Sequence, residues 1–298
     1  MFTYVVTSYT NPQQTIRLVR RLRKDSPDAR IVVSHDRKMP APAPAALEEL
    51  HADLWLTTED VTWGHASYLR SLLSAIRRAA LGPSDWLTIL TGQDYPLRPL
   101  QDFETRLRTP GIDMLLEEPD ENDPAFPFLL RRYRVRAYQV PHWMGRHRVR
   151  QVVKHLPGLE LTDEPRDLPP YLLRPRLRTP FSDSFRLRKG ADQFALNGRA
   201  AATLLAAPPS LLRYYNGTRH PNESYIHTVL RNDPSLVNLP GMLHFTRWGG
   251  SPHPHILTTA DLPEMLASGF WFARKFQQDD PVLDALDEHL DAASRQPM

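Results

Sequence analysis

The stretch HPNESYIHTVL, from His220 to Leu230, places one carboxylate, Glu223, directly after Pro221-Asn222. Ile226, Val229 and Leu230 recur at i, i+3 and i+4, which predicts one apolar face of a short helix starting near Asn222, with Glu223 in its first turn. The free backbone N–H groups and the helix dipole favour a carboxylate there by about 0.3–1 kcal/mol, and that alone would explain it. The same group has a second use: as a general base it takes the proton from an attacking hydroxyl. A second pair of interest is Arg274-Lys275 in FARKF, two cations set among aromatic residues. They are suited to opposing charge that develops on a leaving phosphate, or they are simply a solvated face. At ~4 Å and an effective dielectric near 20, one such cation interacts with a unit negative charge by about 4 kcal/mol.

Other polar groupings carry less. His253-Pro254-His255, with His142 and His147, raises a metal site, but no helical His-Glu-x-x-His spacing supports it; loop histidines bonding a ligand or backbone are the preferred reading. The chain contains no Asp-x-Asp, and its nearest substitute, Glu121-Asn122-Asp123 in EEPDENDP, reads as solvated surface. No glycine-rich phosphate fingerprint follows the first strand, so a dinucleotide or P-loop site is not indicated.

The elements that must position these groups alternate. FTYVVTSY, ARIVVSHD, ADLWLT and DWLTIL (from Asp85) read as strands; TIRLVRRLRK and SYLRSLLSAIRRAAL (from Ser67) read as helices. Strand–helix alternation predicts right-handed βαβ units, an α/β fold with a mostly parallel central sheet flanked by helices. Ligands bind beyond the carboxyl ends of such strands, which directs attention to Thr7-Ser8-Tyr9, His35-Asp36 and Thr91-Gly92-Gln93-Asp94. Trp55, Trp86 and Phe194 follow strand patterns and are expected in the core, while Trp63 beside Gly64 is open. The second half is less regular: an Arg- and aromatic-rich segment from 129 to 156, a strand-like DQFALN, an alanine-rich helix at 198–207 and the Glu223 helix. A nucleotide-binding half followed by an irregular acceptor half is, by analogy, the plan of GT-A glycosyltransferases.

The 298 residues are 41% hydrophobic, enough for one large domain with a sizeable core. The 29 prolines, in PAPAP near 40 and in LPPYLLRPRLRTP at 168–180, are read as connections, and no repeat or flexible linker divides the chain. One domain over 1–298 is expected, with 1–115 as a nucleotide-binding half and 116–298 as an acceptor and catalytic half. No run approaches a membrane span and the N-terminus lacks a signal peptide, so a cytoplasmic location is expected. The absence of cysteine removes disulfides, thiolate metal sites and cysteine nucleophiles. A net charge of +3 and pI near 9.2 suit an anionic small molecule as well as a polyanion.

Separated segments, in order, resemble one family: SHDRK, VTWGHASYLRSLLSAI, LTGQDYPL, GADQFALNGRAAATLL, HPNESYIHTVL, HFTRW and DLPEMLASGFWFARKF, spanning about 30–276. The chain is similar to the core-2/I-branching β-1,6-N-acetylglucosaminyltransferases and peptide O-xylosyltransferases of glycosyltransferase family 14. That resemblance implies a GT-A fold that works without a metal or other cofactor and inverts the anomeric carbon of a UDP-sugar, with GlcNAc or xylose as donor sugar. It makes Glu223 the base, Lys275 in FARKF the diphosphate contact, and Trp248 in HFTRW an aromatic lining the acceptor sugar. It sets Asp36, Gln93 and Asp94 at the nucleotide and donor sugar. One departure is clear: the family's second diphosphate-binding arginine has no counterpart in GGSPHPHIL, and His253, His255, Arg247 or Arg274 are the substitutes to weigh.

The disulfides and membrane anchor of Golgi members are also absent, which points to a bacterial version. Its expected acceptor is a polysaccharide precursor, a lipid-linked glycan or a small metabolite. The basic 129–156 run has three readings, in order: a solvated face, an acceptor or anionic-membrane surface, and nucleic-acid binding. The alternative function is a non-catalytic carbohydrate- or nucleic-acid-binding protein that keeps the GT-A-like fold.

Overall fold

The computed structural model describes residues 1–119, 121–123, 126–162, 170–239, 241–249 and 253–295. Its strands in chain order are β1 (Phe2–Ser8), β2 (Arg30–His35), β3 (Ala52–Leu56), β4 (Trp86–Thr91), β5 (Asp94–Pro96), β6 (Met114–Leu115), β7 (Val135–Gln139), β8 (Glu160–Leu161), β9 (Tyr171–Pro175), β10 (Ala195–Asn197), β11 (His244–Thr246) and β12 (Phe272–Arg274). The central sheet has the order β3-β2-β1-β4-β10-β6. Its first four strands are parallel, with Val5 opposite both Val32 and Ile89, and β10 runs antiparallel between β4 and β6. The expected α/β layout with a mostly parallel central sheet is present.

Parallel strands covered on both faces carry near-continuous apolar runs, as here. Tyr4, Val6, Ile31 and Val33 face one core with the Pro12–Asp25 and Pro281–Ala293 helices. Val5, Val32, Leu87 and Ile89 face a second core with the Ala66–Ala79, Gly198–Leu205 and Asn222–Leu230 helices. Trp55, Trp86 and Phe194 are buried as expected. The C-terminal helix was not read from the sequence, although Asp280 caps it through Val282 N at 3.1 Å and Pro281 opens it. It is clamped to the first helix by Arg17 on Asp284 and Asp287, and by Arg21 on Asp25 and Asp291.

β10, from the second half of the chain, inserts beside β4 in the central sheet. Two sequence expectations change. The proline-rich stretch at 168–180 is not only a connection: 168 and 169 lie outside the described residues, and Tyr171–Pro175 forms β9 between β7 and β8. The helix at Asn222–Leu230 forms as expected, but Ser224, His227 and Thr228 are buried along with its apolar face. Its polar side packs on the 188–191 loop: Ser224 Oγ donates to Arg188 O (2.6 Å), His227 Nε2 lies 2.9 Å from Ala191 O, and Gly190 N donates to Glu223 O (2.9 Å).

This packing requires glycine at 190, where an added Cβ would fall 2.1 Å from the His227 ring. Gly190→Ala is therefore expected to lower stability by about 1–3 kcal/mol in urea unfolding, the range for overpacking a dense site. Wild-type stability in that variant would mean that the loop does not rest on the helix as described.

Candidate active site

A cleft of about 1530 Å³ opens beyond the carboxyl ends of β1, β2 and β4, where strand-end ligands are expected. Thr7 to Thr10, Ser34, Asp36, Gly92 and Gln93 form one wall. Asp36 Oδ1 accepts from Lys38 N (3.2 Å), and its own N–H donates to Ser8 O (2.9 Å), so β1 and β2 present it together. His35 Nε2 lies 3.2 Å from Met39 O, which requires a proton on that nitrogen and leaves Nδ1 to accept from Ser8 Oγ (2.8 Å). Gly92 is tightly enclosed: a Cβ there would lie 2.4 Å from Thr15 Oγ1.

Asp94 is placed differently from expectation. It is fully buried, and does not line the cleft. Its carboxylate accepts from Thr91 N (2.7 Å) and Thr91 Oγ1 (2.6 Å), lies 3.0 Å from His244 Nε2, and stands 3.5 Å from Arg274 Nε. Burial alone would raise its pKa, but His244, Arg274 and the Thr91 hydroxyl outweigh it and hold the carboxyl below its ordinary value. Asp94 thus places its charge beside the Arg274 guanidinium, and Arg274 and Lys275 line the cleft. Two backbone bonds set the chain that carries them: Phe276 N to Gln93 O (3.0 Å) and Leu257 N to Lys275 O (2.9 Å). Burial, then the neighbouring Arg274, lowers the Lys275 pKa.

Glu223 lines the same cleft with its side chain 22% exposed. Lys189 Nζ lies 3.4 Å and Arg132 Nη1 3.6 Å from Oε2, and Tyr133 Oη donates to the same oxygen at 3.2 Å. Burial pushes the carboxyl up; Lys189, His220, Arg132 and the Tyr133 hydroxyl overcome it, and the net shift is downward. His220, 3.7 Å from Oε1, is itself lowered to about 4 by burial, so it is neutral near pH 7 and the lasting cations are Lys189 and Arg132. Asn222, beside Glu223 in the chain, donates through Nδ2 to Asp192 Oδ1, a second carboxyl in the cleft. Burial, then the charge on Glu223, raises Asp192 to about 7, so Glu223 holds the negative charge while Asp192 retains a share of the proton. Glu117, also in the cleft, is raised by burial.

Trp248 stands at the cleft with 63% of its surface exposed. Trp63, left open by the sequence, also lines it, edge-on to His220 with ring centroids 4.5 Å apart. Among the substitutes for the missing arginine, Arg247 is held by Asp261 (2.5 Å) and Glu264, and His255 packs on Gly249; neither lines the cleft. Arg274 and His253 do. Lys189, Asp192, Arg132 and Tyr133 were missed as site residues. A sequence signal existed for two of them, since Lys189 and Asp192 bracket Gly190-Ala191 just before a buried strand, where loops reach a site. Glu121 is not simply solvated: it pairs with Arg188 and lies 3.6 Å from Arg231. Among the described residues no group of three or more His, Asp or Glu has an arrangement that could hold a metal ion, and no helix is long and apolar enough to cross a membrane.

Residues 130–266 match the family model for the Core-2/I-Branching enzyme. Over 87 residues the chain is 42% identical to beta-glucuronosyltransferase GlcAT14A of Arabidopsis thaliana, covering 28% of this chain and 20% of the relative. It is 41% identical over 87 residues to GlcAT14B of the same plant, with the same coverage. The matched part thus spans about a fifth of the length of these relatives. Among solved structures, mouse xyloside xylosyltransferase 1 in its apo form is similar over 92% of this chain and 97% of that one, at 13% identity and a TM-score of 0.42. A putative glucose-1-phosphate thymidylyltransferase from Bacillus anthracis, in complex with sucrose, is similar over 81% and 87%, at 9% identity and 0.40. The family match takes in Arg132, Lys189, Asp192, Glu223 and Trp248 and ends before Arg274 and Lys275. Through residues 130–266, the chain is similar to the Core-2/I-Branching enzyme family.

Proposed function

We propose that the chain is an inverting glycosyltransferase that moves a sugar from a UDP-sugar to an acceptor hydroxyl without a metal ion. The observation that carries this reading is one cleft holding an ionised carboxylate, Glu223, together with a lysine and an arginine at the end of β12. In the proposed step the acceptor oxygen forms a bond to the anomeric carbon as the bond from that carbon to the phosphate oxygen breaks. The hydroxyl proton passes to Glu223, and the electron pair leaves on UDP. One carboxylate suffices for inversion, because the leaving group needs charge neutralisation and not protonation. Arg274 and Lys275 supply that charge, with Arg274 steadied by Asp94. Trp248 offers an aromatic face to the apolar side of a pyranose.

The family resemblance puts UDP-GlcNAc and UDP-xylose first among donors. The plant relatives are named as beta-glucuronosyltransferases, which adds a glucuronosyl donor, whose carboxylate is compatible with the Arg132 and Lys189 side of the cleft. The acceptor class is a glycan, a lipid-linked glycan or a small metabolite.

UDP release measured across these donors tests the reading. Glu223→Gln should keep UDP affinity and lose transfer by about 10²–10⁴-fold, the usual weight of a general base; normal turnover in this variant would remove Glu223 from the mechanism. Arg274→Ala and Lys275→Ala should each weaken UDP binding by about ten- to a hundredfold, the range for a charge-assisted contact, and unchanged affinity would exclude the side chain from the diphosphate site. Removing Lys189 takes away a cation that favours ionised Glu223, so the carboxyl pKa must rise. In Lys189→Met the acidic limb of the kcat/KM–pH profile is therefore expected to move to higher pH. An unmoved limb would show that Lys189 does not tune the base.

A further inference from the structure

Between residues 129 and 156, LLRRYRVRAYQVPHWMGRHRVRQVVKHL, the chain has eight Arg or Lys and no Asp or Glu. Some of these cations are used internally: Arg132 beside Glu223, Arg131 3.4 Å from Glu160, and Arg150 on the Gly145 and Thr162 carbonyls. Arg146, Arg148 and Lys154 are exposed and form no ion pair among the described residues. They lie in and next to the His147–Lys154 helix, which turns Val153 inward and leaves Val152 65% exposed. Leu156, one turn on, is 45% exposed, and Trp143 in the preceding His142–Gly145 turn is 56% exposed. This face thus sets Trp143, Val152 and Leu156 among its cations, a combination that solvation alone does not require.

We propose that the His142–Leu156 segment is a peripheral docking surface for a bilayer rich in anionic headgroups. The charge complementarity is one-sided, as anionic lipid requires, and exposed aliphatic side chains favour acyl chains over the stacked bases and phosphates of a nucleic acid. A tryptophan beside basic residues is the usual composition of the headgroup level. The basic run that contains this segment starts at Leu129, and Leu129 and Arg132 line the cleft, as does Leu173 of β9. The inference does not depend on the transfer reading, since vesicle binding is measured without turnover.

The full chain is to be floated with vesicles of phosphatidylcholine alone and of phosphatidylcholine mixed with phosphatidylglycerol, at low and high salt. Binding is expected only to the mixed vesicles and should fade with salt. The double change Arg148→Glu and Lys154→Glu is expected to weaken it by at least about tenfold. Trp143→Ser with Val152→Ser should weaken it too while keeping the same salt dependence, which simple ion pairing would not produce. Unchanged thermal melting in each variant establishes that the fold is intact. Equal binding to both vesicle types, no binding to either, indifference to the variants, or capture of RNA without vesicles would each overturn the proposal.

Discussion

A single buried carboxylate holds the cleft together. Asp94 leaves the central sheet just after β4, closes the Thr91 turn with two hydrogen bonds, and meets His244 of β11 and Arg274 of β12. The small β11-β12-β5 sheet is thereby tied to the parallel sheet at the strand ends where ligands bind. A buried negative charge is costly unless it is paired and hydrogen-bonded. Pairing Asp94 with Arg274 meets that need and at the same time fixes one of the cations that would face a diphosphate. The position of Arg274 is therefore set by the fold, and it is not a free surface side chain.

The other wall of the cleft follows a complementary logic. Glu223, Asp192 and Glu117 crowd together, and three such groups cannot all be ionised in a confined space without cations among them. Lys189 and Arg132 stand against Glu223 and leave Asp192 with the raised pKa, so the negative charge is localised on one carboxylate. A carboxylate held ionised in this way would be ready near neutral pH for the proposed proton transfer, at the expense of some intrinsic basicity. Tyr133 adds a hydrogen bond to it without adding charge.

The amount legible in the sequence differed by element for physical reasons. β1, β2 and β4 are buried on both faces, so their apolar runs are unbroken and easily read. The Glu223 helix was legible through Ile226, Val229 and Leu230, but the burial of Ser224, His227 and Thr228 was not, because it depends on a loop some 35 residues earlier. Lys189 and Asp192 reach Glu223 through the same long-range packing, which no local pattern records. Asp94 and Asp36 look alike as strand-end carboxylates; only the fold separates the one that anchors an arginine inside from the one that lines the cleft. The C-terminal helix had a local signal in Asp280-Pro281 and the spacing of Leu283, Leu286 and Leu290, and its place was set by distant partners, Arg17 and Arg21.

The central claim is that protein cations, not a divalent ion, hold the diphosphate of the donor. The most direct measurement is calorimetric titration of the purified chain with UDP and with UDP-sugars, in EDTA and again with added Mn²⁺. Saturable binding of UDP in EDTA, with an affinity that Mn²⁺ leaves unchanged, is the expected result. Binding that appears only when Mn²⁺ is present would contradict the account.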